Sequence, residues 1–305
     1  MHCSGRRSHG QNDGIGYTGP MNDQSPVSAL IHRLDRLLRL LEEHLPPLSQ
    51  PVDWLCTAYR WRYRHGKPRL EGIAKPSTVS LDDLLGIDRQ KSAVSRNTEL
   101  FLAGKPANNI LLWGSRGTGK SSLIKALLPA YGQAGLRLVE VEKQHLLDLP
   151  DLLAMLEQRA ERFVVFCDDL SFEFDDSSYK ALKVALDGSL AAPADNVLIY
   201  ATSNRRQLMP EYMSENRQAR IVEGELQLGD ASEEKLSLAE RFGIRLSFHP
   251  FDQQQYLAAV EHWLRHFGDN NRGFEPEALR WALHRASRSG RSAWQFAKYW
   301  VGDRT

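Results

Sequence analysis

The chain is poor in the features that would place it outside a reducing, aqueous compartment. Only three cysteines occur in 305 residues, Cys3, Cys56 and Cys167. Scattered and odd in number, they form no disulfide framework and fit a reducing cytosol. No run of eighteen apolar residues occurs, so no transmembrane helix is expected. The N-terminus lacks the apolar core of a secretory signal. An excess of either charge is also missing: 39 Lys and Arg stand against 38 Asp and Glu, a net +1. Any attraction to nucleic acid or membrane must therefore be local. There is no internal repeat, and the length suits one large domain or a main domain with a small one.

Composition divides the chain into four regions. Residues 1–26 are rich in Gly, Ser, Asn, Asp and Arg with almost no apolar residues, and are expected to be disordered; Met21 stands as an alternative start. Residues 27–78 hold a helix and then an aromatic, basic strand. In "VSALIHRLDRLLRLLEEHL" the apolar residues recur at 3–4 spacing, one stripe on a helix that either packs on its own protein or docks a partner. In "AYRWRYRHGKPRL", Tyr59, Trp61 and Tyr63 alternate with Arg60, Arg62 and Arg64. An extended strand puts the two types on opposite faces. That favours aromatics in the core and arginines in water over a stacking platform for single-stranded nucleic acid.

From residue 79 to 248 short apolar runs alternate with helical segments. "NILLW", "LRLVEV", "FVVFC", "NVLIYA" and "IRLSF" have strand length and continuous apolar character. Such strands, each followed by a helix, indicate a five-stranded parallel sheet covered on both faces. Residues 249–305 contain no further strand and read as three helices, a small separate unit. About thirty residues after Asn204, around "ARIVEGELQLGD", form a long connection that is either functional or merely loose.

"GSRGTGKSS" has the spacing G-x-x-x-x-G-K-[ST] between a strand and a helix, the context that makes the pattern a phosphate site. The cradle runs through Gly114, Ser115, Arg116, Gly117, Thr118, Gly119, Lys120, Ser121 and Ser122. Its glycines allow close approach of the backbone, its N–H groups and the helix N-terminus face a polyphosphate, Lys120 reaches the β/γ-phosphates and the Ser121 hydroxyl ligates Mg²⁺. "FVVFCDD" ends an apolar strand in Asp168, placed to hold the same Mg²⁺. Asp169 follows, positioned to orient the attacking water, with Glu173 a second candidate. Many ATP-hydrolysing proteins have Glu at Asp169's place, and Asp is one methylene shorter.

With these motifs in place, residues 79–303 resemble the AAA+ ATPases. "LIYATSNRR" resembles the sensor 1 strand, with Asn204 as the matching polar residue. "SLAERFGIRLSF" resembles the arginine-finger segment, with Arg241 reaching the γ-phosphate of a neighbouring subunit. "SGRSAWQF" resembles sensor 2 in the lid, with Arg291 as the match. Leu85, Gly86 and Ile87 match the segment that borders the adenine pocket. More narrowly, "NNILLWGSRGTGKSSLIKAL", "RFVVFCDDLSFE" and "LIYATSNRRQLMPEYM" look like a bacterial family of AAA+ ATP-binding proteins defined as a domain of unknown function, in which the double aspartate is part of the pattern. The resemblance implies an ATP- and Mg²⁺-dependent, cytoplasmic homo-oligomer whose site is completed in trans. It leaves open a remodeller or molecular switch, and a nucleotide-gated loader with little turnover acting on a protein or nucleic-acid client. The "ATSN" strand and the helical C-terminal unit argue against a small-molecule kinase. No aromatic–hydrophobic–Gly tripeptide suited to threading polypeptides stands out.

Overall fold

Apolar runs bounded by turn residues become strands here, and most of them are buried on both faces. The computed structural model describes residues 26–44, 52–64, 66–172, 176–187, 194–204, 208, 220–222, 225–227, 238–270 and 273–303. The five expected strands are β3 (Ile110–Gly114), β4 (Leu136–Val141), β5 (Arg162–Cys167), β6 (Val197–Ser203) and β9 (Ile244–Phe248). They pair in parallel in the order β4-β5-β6-β3-β9. Parallel pairing needs crossovers. Among them are α3 (Lys120–Tyr131), α4 (Leu149–Glu157) and α5 (Ser177–Asp187). With α2 (Asp88–Leu102), they cover the sheet's faces.

Period-two alternation along the strands supplies two cores. On one face Val165, Cys167, Ile199 and Ala201 pack with Leu152 and Leu156 of α4 and Leu182 of α5. On the other, Ile110, Leu112, Val164, Phe166 and Tyr200 pack with Val94 and Phe101 of α2 and Leu123, Ile124 and Leu127 of α3. Inside the second core, the Tyr200 hydroxyl meets Asn97 Nδ2 and Thr98 Oγ1, each at 3.0 Å, so a buried phenol is satisfied.

The sheet is wider than the sequence suggests. The aromatic, basic segment forms β1 (Ala58–Arg64) and, after a turn, β2 (Lys67–Gly72). β1 pairs in parallel with β4 and antiparallel with β2, giving seven strands in the order β2-β1-β4-β5-β6-β3-β9. The segment grouped by sequence with the N-terminal helix therefore extends the main sheet. An exposed β4 edge would leave ladder groups unpaired, and β1 satisfies them. Tyr59 and Trp61 are buried while Arg62 and Arg64 are not, the face assignment expected from the alternation.

The C-terminal unit is α6 (Gln253–His266), α7 (Glu275–His284) and α8 (Gly290–Gly302), packed around Tyr256, Val260, Phe274, Phe296 and Trp300. α6 opens on a capping box in which Asp252 and Gln255 satisfy each other's backbone N–H. Leu85, just before α2, packs against this cluster. The N-terminal helix α1 (Pro26–His44) lies one residue earlier at each end than the expected helix, and Leu30, Ile31, Leu34, Leu37 and Leu38 of its stripe are exposed. The expected disorder of residues 1–26 falls, except for Pro26, outside the described residues, as does most of the helix expected before β9. Of the long connection after Asn204, the described part is Leu208 and a backbone hairpin of β7 (Arg220–Val222) and β8 (Glu225–Gln227).

Trp61 anchors the outer hairpin. It is 2% exposed, and its indole N–H donates to Asp148 Oδ2 at 3.2 Å. Tyr63 donates to the other oxygen of Asp148 at 2.8 Å. Trp61→Ala is expected to lower stability by about 3–5 kcal/mol, the usual cost of emptying a large aromatic site. A urea unfolding midpoint within error of wild type would contradict this.

Candidate functional site

The parallel register brings three strand ends level. Trp113 of β3 sits opposite Ser203 of β6, and Ala201 of β6 opposite Cys167 of β5. The loop after β3, the aspartates after β5 and Asn204 after β6 therefore emerge side by side, at the carboxyl ends where α/β sheets bind ligands.

The loop's glycines are demanded by its geometry. Gly114 has φ 128°, and a β-carbon there would lie 2.0 Å from the Phe248 carbonyl oxygen. Gly119 caps α3 at φ 101°, a left-handed value. The Thr118 hydroxyl closes the loop by donating to the Ser115 carbonyl at 2.8 Å. Lys120 is 6% exposed, and its ammonium donates to the carbonyls of Gly114 and Ser115, each at 2.8 Å, and to Asn204 Oδ1 at 3.1 Å. Burial pulls the Lys120 ammonium below its ordinary range, while Asp169 and Asp168 act in the opposite direction.

Asp168 is the hub of the acidic side. Its Oδ1 accepts from the Ser121 hydroxyl at 2.6 Å and from the Thr202 hydroxyl at 2.6 Å. Thr202 Oγ1 in turn accepts the Asp169 backbone N–H at 2.8 Å. Asp169 has φ 52°, a left-handed conformation that costs a non-glycine residue about 1–3 kcal/mol. Asn204 donates through Nδ2 to the Asp169 carboxylate. The Asn204 carboxamide thus joins Lys120 to Asp169. Cys167, fully buried just before Asp168, has its thiol pushed up to about 12, mainly by burial, so it is neutral at physiological pH and supplies no thiolate.

These groups open on a cavity of about 650 Å³, a size that suits a small-molecule ligand. One wall is Leu84, Leu85 and Ile87. The floor is the loop from Arg116 to Ser122 with Asp168, Asp169 and Asn204. The roof is Trp263 of α6 with Arg291 and Trp294 of α8. The roof touches the floor directly, because the Arg291 backbone N–H donates to the Gly117 carbonyl at 3.2 Å. Ser121 and Asp168 are hard oxygen donors on a common hydrogen bond, a pair that suits Mg²⁺ when phosphates and water complete the octahedron. Among the described residues no cluster of three or more His, Cys, Asp or Glu side chains is arranged to hold a metal by itself.

Arg241 lies elsewhere. It lines a second cavity, of about 840 Å³, together with Asn109, Arg162, Val197 and Gly243 at the amino ends of the strands. Its Nε donates to Asp187 Oδ1 at 2.5 Å. Glu173 falls outside the described residues. The structure thus brings together the loop, Asp168, Asp169, Asn204 and Arg291, and separates Arg241 from them. Sequence reasoning missed Thr202, Trp263 and Trp294. Thr202 was within reach, as the hydroxyl two residues before Asn204 that alternation returns to the same face. The tryptophans carried no signal beyond their helical spacing, because the packing of one helix on another brings them to the cavity.

The profile of a family described as "Protein of unknown function (DUF815)" matches residues 55–304. The chain belongs to the DUF815 family. Among curated proteins none matches it in sequence. Among solved structures, two point variants of Thermotoga maritima RuvB align with the DUF815 chain at a TM-score of 0.50 and 16% identity, over 72% of this chain and 63% and 64% of theirs. Aeropyrum pernix ORC1, solved in complex with DNA, aligns at a TM-score of 0.49 and 15% identity, over 72% of this chain and 61% of that one. The DUF815 chain thus spans less than two thirds of these proteins. At such identities the RuvB likeness speaks for fold alone, and that fold is the AAA+ P-loop fold, with a mostly parallel sheet of seven strands.

Thr202→Val removes the donor to Asp168 and the acceptor for the Asp169 N–H while keeping the side-chain shape. A loss of about 1–3 kcal/mol is expected, with Thr202→Ser restoring most of it. Equal thermal stability of wild type and the valine variant would refute the assignment.

Proposed function

We propose that this DUF815 chain binds ATP with Mg²⁺ and hydrolyses it slowly, as an oligomerisation-dependent switch in the cytoplasm. The observation that carries the reading is the convergence of Lys120, the Ser121–Asp168 pair and the Asp169–Asn204 pair on one cavity.

The residues divide the work by their chemistry. Lys120 bonds to its own loop's carbonyls. A phosphate oxygen is the stronger acceptor for an ammonium, so Lys120 turns outward to it, aided by the loop N–H groups and the start of α3. Ser121 and Asp168 would hold Mg²⁺, which would supply neutralisation of phosphate charge. The Ser121 hydroxyl and the Asp168 carboxylate, joined here by a hydrogen bond, would be the residues to hold the metal, and Thr202 keeps the Asp168 carboxylate oriented. As Lys120 leaves, Asn204 loses one of its two partners. Its Nδ2 still holds Asp169, the residue that takes a proton from, or orients, the attacking water. Arg291 approaches the phosphates from the lid. The apolar wall of Leu84, Leu85 and Ile87, with Trp263 and Trp294 opposite, takes the base.

Arg241 acts in this scheme on the ATP of a neighbouring copy. Three features support that role: its separation from its own P-loop cavity, the motif around it, and its side chain's engagement by Asp187. An arginine held in an ion pair must exchange that partner to reach a phosphate, so hydrolysis waits for assembly. A second reading, a nucleotide-gated loader with almost no turnover, is favoured by the shorter carboxylate of Asp169 and its left-handed backbone. The client is a protein or a nucleic acid in either case.

Calorimetric titration with Mg-ATP, together with phosphate release across a range of protein concentrations, tests both readings. Lys120→Ala is expected to abolish binding. Asp169→Asn should bind like wild type and lose about 10²–10⁴-fold in turnover, the range for a general base. Arg241→Ala should bind ATP and lose the rise of specific activity with protein concentration. No ATP binding by wild type sinks the whole proposal. Wild-type turnover in Arg241→Ala sinks the trans role alone. Wild-type turnover too low to measure, even at high protein concentration, selects the loader.

A further inference from the structure

The outer hairpin carries a charge arrangement that the nucleotide site does not use. Residues 58–72 hold five basic side chains and one acidic one, a net +4 inside a chain whose total is +1. The antiparallel register sets Arg60 opposite Glu71, Arg62 opposite Arg69, and Arg64 opposite Lys67. Residues directly opposite point to the same face, so all six charges stand on one side of the hairpin. The other side carries Tyr59, Trp61 and Leu70, which are buried. The hairpin cannot turn over without exposing that core, so the array is rigidly presented.

The arrangement is costly in isolation. Like charges directly opposite each other destabilise a ladder, and here two such pairs are consecutive. Compensation from within the chain is partial. Arg60 pairs with Glu140 at 2.6 Å, an acid already shared with Lys125 at 3.7 Å, and Arg64 pairs with Glu71 at 2.8 Å. Among the described residues Arg62 and Lys67 form no ion pair. A local arrangement whose like-charge cost is only partly returned within the chain points to a functional surface.

We propose that this face binds the phosphate backbone of nucleic acid without reading its bases. Alternate residues of a strand are about 6.6–6.8 Å apart and paired strands about 4.7–4.9 Å apart. The face is therefore two parallel cationic rows, and guanidinium forks match phosphate oxygens. Base stacking has no part. Trp61 and Tyr59 are buried, and Tyr63 points to the opposite face, stacked on His145 with ring centroids 5.1 Å apart. An acidic protein is the weaker candidate, because the charged face has no aromatic or aliphatic residue to anchor a protein interface. The proposal is independent of the ATPase reading.

Fluorescence anisotropy of a labelled duplex oligonucleotide and of a single strand of equal length, over a salt series, tests it on the full chain. With Arg62, Arg64 and Lys67 neutralising about three phosphates, log K should fall against log salt with a slope of about −2.7 for the duplex and about −2.1 for the single strand, whatever the base sequence. The double variant Arg62→Ala/Lys67→Ala should flatten the duplex slope by about 1.8 and, by relieving the two like-charge pairs, leave the urea unfolding midpoint at or above that of wild type. Lys105→Ala/Arg280→Ala, which removes the same charge elsewhere, should keep the wild-type slope. The proposal fails if neither oligonucleotide binds at low salt, if the hairpin variant keeps the wild-type slope, or if the control variant flattens it equally. Binding of a poly-glutamate peptide with no binding of either oligonucleotide would transfer the face to an acidic protein.

Discussion

Parallel pairing of β3, β6 and β5 is the constraint on which the site depends. The ladder holds Trp113 level with Ser203 and Ala201 level with Cys167, so three loops leave the sheet at one height. Side chains alternate along each strand, and a slip of one residue would turn every one of them to the opposite face. Burial of both sheet faces under α2, α3, α4 and α5 penalises that slip. The chemistry of the cavity is thus positioned largely by apolar strand residues that do not line it. A surface loop carrying the same polar residues would lack this precision.

Within that frame the polar groups hold one another. The Thr202 hydroxyl donates to Asp168 and accepts from the Asp169 N–H, so a single side chain ties both aspartates to β6. Two backbone-anchored bonds continue the tie: Leu170 N–H to the Thr202 carbonyl at 2.7 Å, and Ser203 Oγ to the Leu170 carbonyl at 2.7 Å. Together they offset the cost of the left-handed backbone at Asp169. Strain supported in this way concentrates at sites of function. The lid is joined to the same frame through Arg291 and Gly117. That hydrogen bond joins the loop to α8, and the shared lid core joins α8 to α6.

The hairpin β1–β2 solves one problem and creates another. It covers the β4 edge, which would otherwise offer unpaired backbone to other chains. Its aromatic side joins the core of α4 and α5. The same alternation that buries Tyr59 and Trp61 gathers the basic residues on the other side. The sheet edge is moved outward from β4 to β2 and is guarded by charge.

Much of this was legible in the sequence because it is local. The G-x-x-x-x-G-K-S spacing, the apolar run ending in Asp168 and Asp169, and the period-two alternation at residues 59–64 each depend on neighbours within a few residues. Their geometry follows from backbone stereochemistry. The five parallel strands, the helical lid and the burial of Tyr59 and Trp61 were likewise expected. What the sequence could not contain was long-range pairing. Nothing in "AYRWRYR" says that it lies beside β4, because an edge accepts any strand of suitable shape. Thr202 and Asp168 are 34 residues apart, and only the β5–β6 ladder makes them partners. Arg241 is placed by the entry to β9 and held by Asp187, 54 residues away. The sequence by itself determined which residues could do phosphate chemistry. Tertiary structure decided which of them meet, because the free energy of packing two sheet faces selects a register, and the register selects the neighbours.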